Sequence, residues 1–269
     1  MLKLYNAARS SASVRMRIAL NLKGLPFEYV AVRLAKNEQF ADTFRQLNPS
    51  ELVPVLVDGD TVLTQSLAII EYLEEVHPQP PLLPATPLDR AYVRSIALAI
   101  ACEIHPLNNL RVLRYLVRDM GLPDEKKNAW YRHWVEQGLA QLEKRLVAEG
   151  RTGKYLFGDQ VTLAEVCLVP QIFNAQRMDC RLDHVPLLTR VFETCMQQQA
   201  FIDAQPSKQP DFDYGYLLGS FGPSRSMAQE RKARPAVNEA IALPARRPGS
   251  RGTRDPASRH GCSAHLAQP

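Results

Sequence analysis

The chain opens with Met1-Leu-Lys-Leu-Tyr-Asn-Ala-Ala-Arg9-Ser10-Ser11-Ala-Ser-Val-Arg15-Met-Arg17-Ile-Ala-Leu20, and this stretch decides the fold. Its apolar residues first alternate, as in a short strand, and then recur at helical spacing, at Val14, Ile18 and Leu22. Serines in the intervening turn can cap the helix, whose amino end then faces any bound anion. A hydroxyl beside a helix dipole suits a thiolate that the protein does not itself supply. The alternative is an ordinary helix cap.

The rest of residues 1–77 continues the alternation of strands and helices. The pattern predicts a strand at 27–32, a helix near 37–47, strands at 52–57 and 61–64 joined by an Asp-Gly turn, and a helix opened by Gln65-Ser66 with a stripe of Ile69, Leu73 and Val76. This order, βαβ, then α, then ββα, is that of a thioredoxin-like sheet with a parallel half and an antiparallel half.

Pro54 stands at the start of a predicted strand, where its missing N–H would disturb a central ladder. We expect the Val53–Pro54 bond to be cis. The N–H and C=O of Val53 would then face outward and could pair with an extended peptide ligand. A trans proline at a sheet edge is the alternative.

Helical patterns follow a proline-rich linker. Residues 78–87 contain five prolines, and residues 88 to about 200 carry only helical periodicity. Helices are predicted at 88–119 with a break near Pro106, at 124–149, from a capping box at Thr162 and Glu165, and after Pro186. The predicted organisation is a thioredoxin-like domain at 1–77, a linker at 78–87, an all-helical domain at 88–213 and a tail at 214–269.

The tail accounts for the basic charge of the chain. Residues 214–269 hold nine basic and three acidic side chains, so the remainder has a net charge of −1 although the whole chain has +5. The tail also has six glycines and six prolines and no sustained periodicity, which predicts disorder. The body is close to neutral, and the basic composition therefore does not indicate a nucleic-acid-binding domain.

Several other classes of protein are disfavoured. No apolar run of about 18 residues predicts a membrane span, and the first residues lack the pattern of a signal peptide. The five cysteines are scattered and form no CxxC pair, so neither a disulfide framework nor a zinc site is indicated. We expect a protein of the reducing cytoplasm.

Several separated motifs together resemble the zeta class of glutathione transferases. They are Arg9-Ser10-Ser11-x-Ser13; Leu47-Asn48-Pro49 with Val53-Pro54; Gln65-Ser66-Leu-Ala-Ile-Ile-Glu-Tyr-Leu-Glu-Glu75; Leu82-Leu83-Pro84; His105-Pro-Leu-Asn-Asn-Leu110; Gly158-Asp159; Leu168-Val169-Pro170-Gln171; and Asn174-Ala-Gln-Arg177. The resemblance covers residues 1 to about 213. It implies a thioredoxin-like domain followed by an all-α domain, a homodimer and glutathione as cofactor, with no metal or nucleotide.

The resemblance implies a role for each matching residue. Ser10 would donate to the glutathione sulfur with help from Ser11, and Val53 would pair with the cysteinyl unit. The other implied contacts to glutathione are Gln65 and Ser66 at the γ-glutamyl carboxylate, Gln39 at the glycyl end, and His105 and Asn109 from the helical domain. Free N–H groups at the start of the Gln65-Ser66 helix suit that carboxylate for a separate physical reason.

The class's best-known activity is the isomerisation of maleylacetoacetate, a dianionic cis-enoyl compound. Arginine forks bind carboxylates bidentately, and the resemblance selects Arg9, Arg111 and Arg177 as substrate anchors, with Arg9 also counted as catalytic beside Ser10 and Ser11. The implied mechanism is thiolate addition, bond rotation and loss of glutathione.

Three other functions stay open. The pair His105 and Arg111 resembles glutathione-dependent maleylpyruvate isomerases, which rotate the same bond. A general conjugating or peroxide-reducing transferase would need an apolar second pocket. A non-catalytic module would commonly lack Ser10, Gln65 and Ser66, which this chain keeps.

Ala12 departs from the class, whose motif has cysteine there. The thiol of glutathione can run the reaction, so we expect this change to be tolerated.

Overall fold

A computed structural model describes residues 1–212; the predicted tail, 214–269, lies outside the described residues. A four-stranded sheet is built from β1 (Leu2–Asn6), β2 (Phe27–Ala31), β3 (Val55–Asp58) and β4 (Thr61–Thr64). The strand order is β2-β1-β3-β4; β1 and β2 are parallel, and the other two pairs are antiparallel. This confirms the expected thioredoxin-like sheet with its two halves.

Nine α-helices accompany the sheet within residues 1–212. They are α1 (Ser11–Leu22), α2 (Asp42–Leu47), α3 (Ser66–Val76), α4 (Pro87–Leu98), α5 (Leu110–Arg118), α6 (Asp124–Glu149), α7 (Leu163–Arg177), α8 (Pro186–Cys195) and α9 (Gln199–Asp203). None of the helices in this part of the chain has the length and apolar character needed to cross a bilayer.

Helix α1 lies at the centre of the molecule. It packs against α3, α7 and α9, and nine of its residues are buried, so it is enclosed on several faces and not on one stripe alone. Leu4 and Leu56 on one face of the sheet join a hydrophobic core that continues through α1 into the helices of the second half. The other face, with Tyr5 and Val55, packs against Phe44 of α2. The β1–α1 turn therefore lies between the sheet of residues 1–77 and the helices of residues 88–212.

Three element predictions for the first half were wrong in part. The stretch 37–47 is helical only from Asp42, because Asn37 has a left-handed φ of 59° between two short 3₁₀ turns. The strand predicted at 52–57 begins at Val55, because Pro54 has no N–H to donate to the ladder. Val76 does not join the buried stripe of α3 and is exposed. The Val53–Pro54 bond is cis, as expected.

The predicted helix at 88–119 is interrupted over more residues than expected. After α4 the chain forms a π-helical segment, Ala99–Ile104, and a 3₁₀ turn, His105–Asn108, before α5 begins. Pro106 lies in this turn and cannot donate a helical hydrogen bond. Gly138 of α6 lets Ile104 approach closely, because a Cβ at that glycine would lie 2.5 Å from Ile104 Cγ1. His105 is thereby placed outside any regular α-helix.

The start of α7 has the capping box that the sequence predicts. The Glu165 carboxylate accepts hydrogen bonds from the Thr162 N–H at 2.6 Å and from the Leu156 N–H at 2.8 Å. Both Thr162 and Glu165 are buried. The cap therefore fixes the entry into α7 and the loop before it.

A buried ion pair orders the segment between the two halves. The Lys23 ammonium at the end of α1 lies 2.8 Å from the Glu74 carboxylate of α3 and also donates to the carbonyls of His77 and Pro80. The same carboxylate accepts from the N–H groups of residues 82 and 83. The pair thus binds the proline-rich linker to the first half by four charge-assisted hydrogen bonds.

We predict that Glu74→Ala lowers the free energy of unfolding by about 3 to 5 kcal/mol, because it leaves the buried Lys23 ammonium without its carboxylate. Urea denaturation followed by circular dichroism measures this change. Glu71→Ala is the matched control on the same helix: Glu71 pairs with Arg94 at a partly exposed site, so its loss should cost less than about 1 kcal/mol. Equal losses in the two variants would contradict the prediction.

Candidate active site

The turn between β1 and α1 presents two serine hydroxyls in different settings. Ser10 is the N-cap of α1, and its Oγ accepts a hydrogen bond from the Ser13 N–H at 3.3 Å. A hydroxyl that accepts in this way keeps its own hydrogen for another acceptor. Ser10 can therefore cap the helix and donate to a bound sulfur at the same time. Ala12, on the first turn of α1, is half-buried.

Ser11 is connected to Arg177 through one side chain. The Asn174 Nδ2 donates to the Ser11 Oγ, and the Asn174 Oδ1 accepts from an Arg177 Nη at 3.3 Å. Asn174 and Arg177 lie one turn apart at the end of α7. This chain of hydrogen bonds brings the guanidinium of Arg177 to the neighbourhood of the two serines, although the residues are far apart in sequence.

The backbone of the same turn is fixed by the buried guanidinium of Arg17. It donates to the carbonyls of Ala7 and Ala8, to the Asn6 Oδ1 and to the carbonyl of Ala204. Burial lowers the pKa of Arg17 to about 10, so the group is still charged at neutral pH. The turn is thereby bound to the end of the helical half.

The segment that follows Ala204 returns to the turn and reaches Arg9. One Asp211 carboxylate oxygen accepts from the Ala8 N–H at 3.0 Å, and the other accepts from the Tyr29 hydroxyl. Arg9 is half-buried, and its Cζ lies 4.7 Å from the centre of the Phe212 ring. The position of this guanidinium therefore depends on a segment about 200 residues away in the sequence.

The amino end of α3 is a second helix start, and it has no side-chain cap. Gln65 precedes the helix in a strained conformation, with φ at 68°, is exposed and provides no side-chain cap. Ser66 is buried, and its Oγ lies 3.5 Å from an Arg15 Nη. The first N–H groups of this helix are thus left for a ligand, as a carboxylate would require.

Val53 and Gln39 lie beyond this helix end on the same half. Val53 is half-buried, and within residues 1–212 no backbone hydrogen bond is made by its N–H or C=O. Gln39 lies in the 3₁₀ turn Glu38–Phe40 and is buried, and its Oε1 has no partner among the described residues. Both therefore keep polar groups that a peptide ligand could satisfy.

His105, Asn109 and Arg111 lie where the helical half approaches this region. Burial, followed by the charges of Arg15 and Arg111, lowers the pKa of His105 to about 3. Asn109 is the N-cap of α5, and its Oδ1 accepts from the Arg111 N–H at 3.1 Å. Arg111 is exposed. The three belong to the break before α5, which is longer than the break predicted near Pro106, and to the first turn of α5.

The structure thus links most of the predicted residues into two groups. Ser10, Ser11, Arg9 and Arg177 gather at the start of α1. Near the start of α3, Ser66 contacts Arg15, and the charges of Arg15 and Arg111 both act on His105. Gln39 and Val53 are connected to neither group by a hydrogen bond within residues 1–212.

Sequence reasoning missed three residues that support these groups. Asn174 was quoted only as part of a motif, and neither Asp211 nor Arg15 was singled out. The spacing of Arg15, one turn after Ser11, was the only available signal for it.

The site has the chemistry of an anion-binding centre. It offers serine hydroxyls, two helix amino ends and several guanidinium groups, and all of these favour negative charge. Among residues 1–212 no cluster of three or more His, Cys, Asp or Glu side chains could hold a metal ion.

Comparison with known families agrees with this architecture. Residues 4–81 match the family model for the glutathione S-transferase N-terminal domain, and residues 122–199 match that for the C-terminal domain. A probable maleylacetoacetate isomerase of Vibrio cholerae is 48% identical over 210 residues, which are 77% of this chain and 97% of the relative.

Solved structures agree as well. A holo maleylpyruvate isomerase, described as a bacterial glutathione S-transferase of the zeta class, has a TM-score of 0.77 at 47% identity, with 78% of this chain and all of that chain covered. A maleylacetoacetate isomerase from Methylobacterium extorquens AM1, with bound malonate and glutathione, also has a TM-score of 0.77, at 40% identity and with 78% and 99% covered. The chain belongs to the glutathione S-transferase family and, within it, to the zeta class.

Proposed function

We propose that this chain is a glutathione-dependent cis–trans isomerase that converts maleylacetoacetate into fumarylacetoacetate. The observation that carries the proposal is the hydrogen-bonded chain from Ser11 through Asn174 to Arg177. It brings a cation suited to a substrate carboxylate close to the hydroxyls suited to a thiolate. The names of the relatives, two of which are maleylacetoacetate isomerases, point the same way.

The free polar groups of the site fit glutathione. The α3 amino end with Gln65 and Ser66 suits the γ-glutamyl carboxylate, and the backbone of Val53 suits the cysteinyl unit. Gln39 suits the glycyl end, and His105 and Asn109 reach the ligand from the helical half. When bound, glutathione supplies the thiolate that adds to the double bond of the substrate and leaves after rotation.

The serines and arginines would perform separate tasks in this reaction. Ser10 donates to the sulfur and favours its ionised form, and Ser11 assists it. Arg9, Arg111 and Arg177 hold the two carboxylates of the substrate. Negative charge grows on the oxygen of the carbonyl that is conjugated with the double bond, and fixed guanidinium groups stabilise this enolate more than the uncharged carbonyl of the ground state.

The pKa of His105 excludes it as a general acid at neutral pH. With a pKa of about 3 the ring is uncharged there and can only donate or accept a hydrogen bond. We therefore assign His105 to binding, as an uncharged hydrogen-bonding group.

The organisation around the site is also part of the proposal. We place the domain division at the linker 78–87, and expect a homodimer in the cytoplasm, as is usual for the family. Maleylpyruvate is the second candidate substrate, because His105 and Arg111 lie together at the site and the relative of known structure at 47% identity is a maleylpyruvate isomerase.

The direct test is the ultraviolet absorbance of maleylacetoacetate and of maleylpyruvate, each incubated with the protein with and without glutathione. We expect isomerisation that depends on glutathione and leaves its concentration unchanged, with the higher kcat/KM for maleylacetoacetate. A higher kcat/KM for maleylpyruvate would favour the second candidate. Turnover of neither substrate would refute the isomerase function.

Arg177→Ala should lower kcat/KM for the substrate by about 10- to 100-fold, because it removes hydrogen bonds to a charged carboxylate. The glutathione Kd should change by less than about threefold, since this side chain holds the other ligand. Steady-state kinetics and calorimetry measure the two values. Arg181→Ala is the control, because Arg181 pairs with Glu136 outside the site and should have no effect. An equal loss for both ligands in Arg177→Ala would mean that its role is misassigned.

The pKa of His105 also predicts how stability changes with pH. Below about pH 6.5 the unfolded histidine binds a proton that the folded one does not, so stability is lost as the pH falls towards 3. Between pH 6.5 and 5, the free energy of unfolding of the wild type should therefore fall by about 1 to 2 kcal/mol more than that of His105→Gln. Urea denaturation at both pH values measures this. His133→Gln, at an exposed position, should behave as the wild type does. A difference in stability between the wild type and His105→Gln that does not change with pH would contradict the assignment.

A further inference from the structure

Helix α1 carries two buried arginines whose surroundings differ. Arg17, 1% exposed, donates four hydrogen bonds to oxygen atoms. Arg15, 3% exposed, makes one long contact of 3.5 Å to the Ser66 Oγ, and its Nε and second Nη have no partner among the described residues. A buried guanidinium is costly unless its charge is compensated. Arg15 is therefore not explained by the fold alone.

The groups around Arg15 supply no compensating negative charge. Within residues 1–212 it forms no ion pair with a carboxylate, and its charge acts on the neutral side chains of His105 and Cys167. Burial raises the pKa of Cys167 to about 11, so that thiol is not ionised at neutral pH. Gln171, which lies between Cys167 and Asn174 on α7, is also buried with both amide atoms unpartnered.

The start of α3 increases the positive potential at this point. The helix has 11 residues, no acidic residue in its first turn and no side-chain cap, and Ser66 is its first residue. Its amino end therefore carries a partial positive charge, which lies beside the guanidinium that contacts Ser66. Two like charges in a buried region repel each other, and one anion bound between them would relieve both.

We infer that Arg15 is a glutathione-binding residue, whose guanidinium holds, together with Ser66 and the amino end of α3, the α-carboxylate of the γ-glutamyl unit. This inference rests on the proposed function and adds a residue to its site. The sulfur is assigned to Ser10 at the start of α1, and the glycyl carboxylate to Gln39 near α2. Of the three anionic groups of glutathione, this leaves the γ-glutamyl carboxylate to bind at Ser66.

The experiment compares Arg15→Met, Arg15→Lys and the wild type. Each full-length protein is titrated with glutathione and with the analogue in which the γ-glutamyl α-carboxylate is a carboxamide, and its thermal midpoint is measured without ligand. Arg17→Met is the matched control, since it removes a buried arginine of the same helix that is fully hydrogen-bonded.

We expect the wild type to bind glutathione at least about 10-fold more tightly than the carboxamide, because hydrogen bonds to a charged group are lost. Arg15→Met should weaken glutathione binding by about 10- to 100-fold and reduce the preference for glutathione over the carboxamide to less than about threefold. Arg15→Lys should keep part of it, since it retains the charge without the fork. The ligand-free midpoint should stay equal or rise in Arg15→Met and fall in Arg17→Met.

Two results would overturn the inference. One is an equal weakening of both ligands by Arg15→Met, and the other is a loss of ligand-free stability in Arg15→Met like that of Arg17→Met. The comparison of Arg15→Met with Arg15→Lys remains decisive if Arg17→Met fails to fold. A preference for the carboxylate that the wild type has and Arg15→Met lacks, without isomerisation of either substrate, would refute the isomerase function and leave Arg15 in its binding role.

Discussion

The guanidinium of Arg17 is the interaction on which the arrangement of the site depends. It is buried, and its hydrogen bonds hold the carbonyls of the β1–α1 turn and the carbonyl of Ala204 together. Without it, the buried carbonyl of Ala8 would lose its donor, which is costly, whereas that of Ala7 also accepts from the Ser10 N–H. Because the same turn presents Arg9, Ser10 and Ser11, one structural side chain fixes both the fold at the centre of the molecule and the chemistry at its surface.

The local elements could be predicted from the sequence because local patterns determine them. The alternation in β1, the Asp-Gly turn between β3 and β4, the capping box of Thr162 and Glu165 and the bounds of α6 all follow from neighbours in the sequence. The misplaced elements involve backbone conformations that periodicity does not encode, such as the left-handed Asn37 and the π-helical segment before His105.

The site was predictable only in part, and mainly through family resemblance. Arg15 and Arg17 look alike in the sequence, being two residues apart on one predicted helix. The partners that distinguish them, Ser66 and Ala204, lie about 50 and 190 residues away. A periodic pattern predicts which face of a helix is apolar. It does not predict which buried cation has a hydrogen-bond acceptor. The sequence likewise did not show that Asn109, predicted to contact glutathione, has a side chain that also caps α5.

The return of the chain to Arg9 determines where a fusion partner can be attached. Asp211 and Phe212 touch the β1–α1 turn, so an affinity tag or reporter joined directly after them would begin beside the proposed site. Met1, by contrast, is 85% exposed and lies at the opposite end of β1, roughly 16 Å from the turn at about 3.3 Å per residue. Labelling at the amino terminus therefore leaves the proposed site accessible.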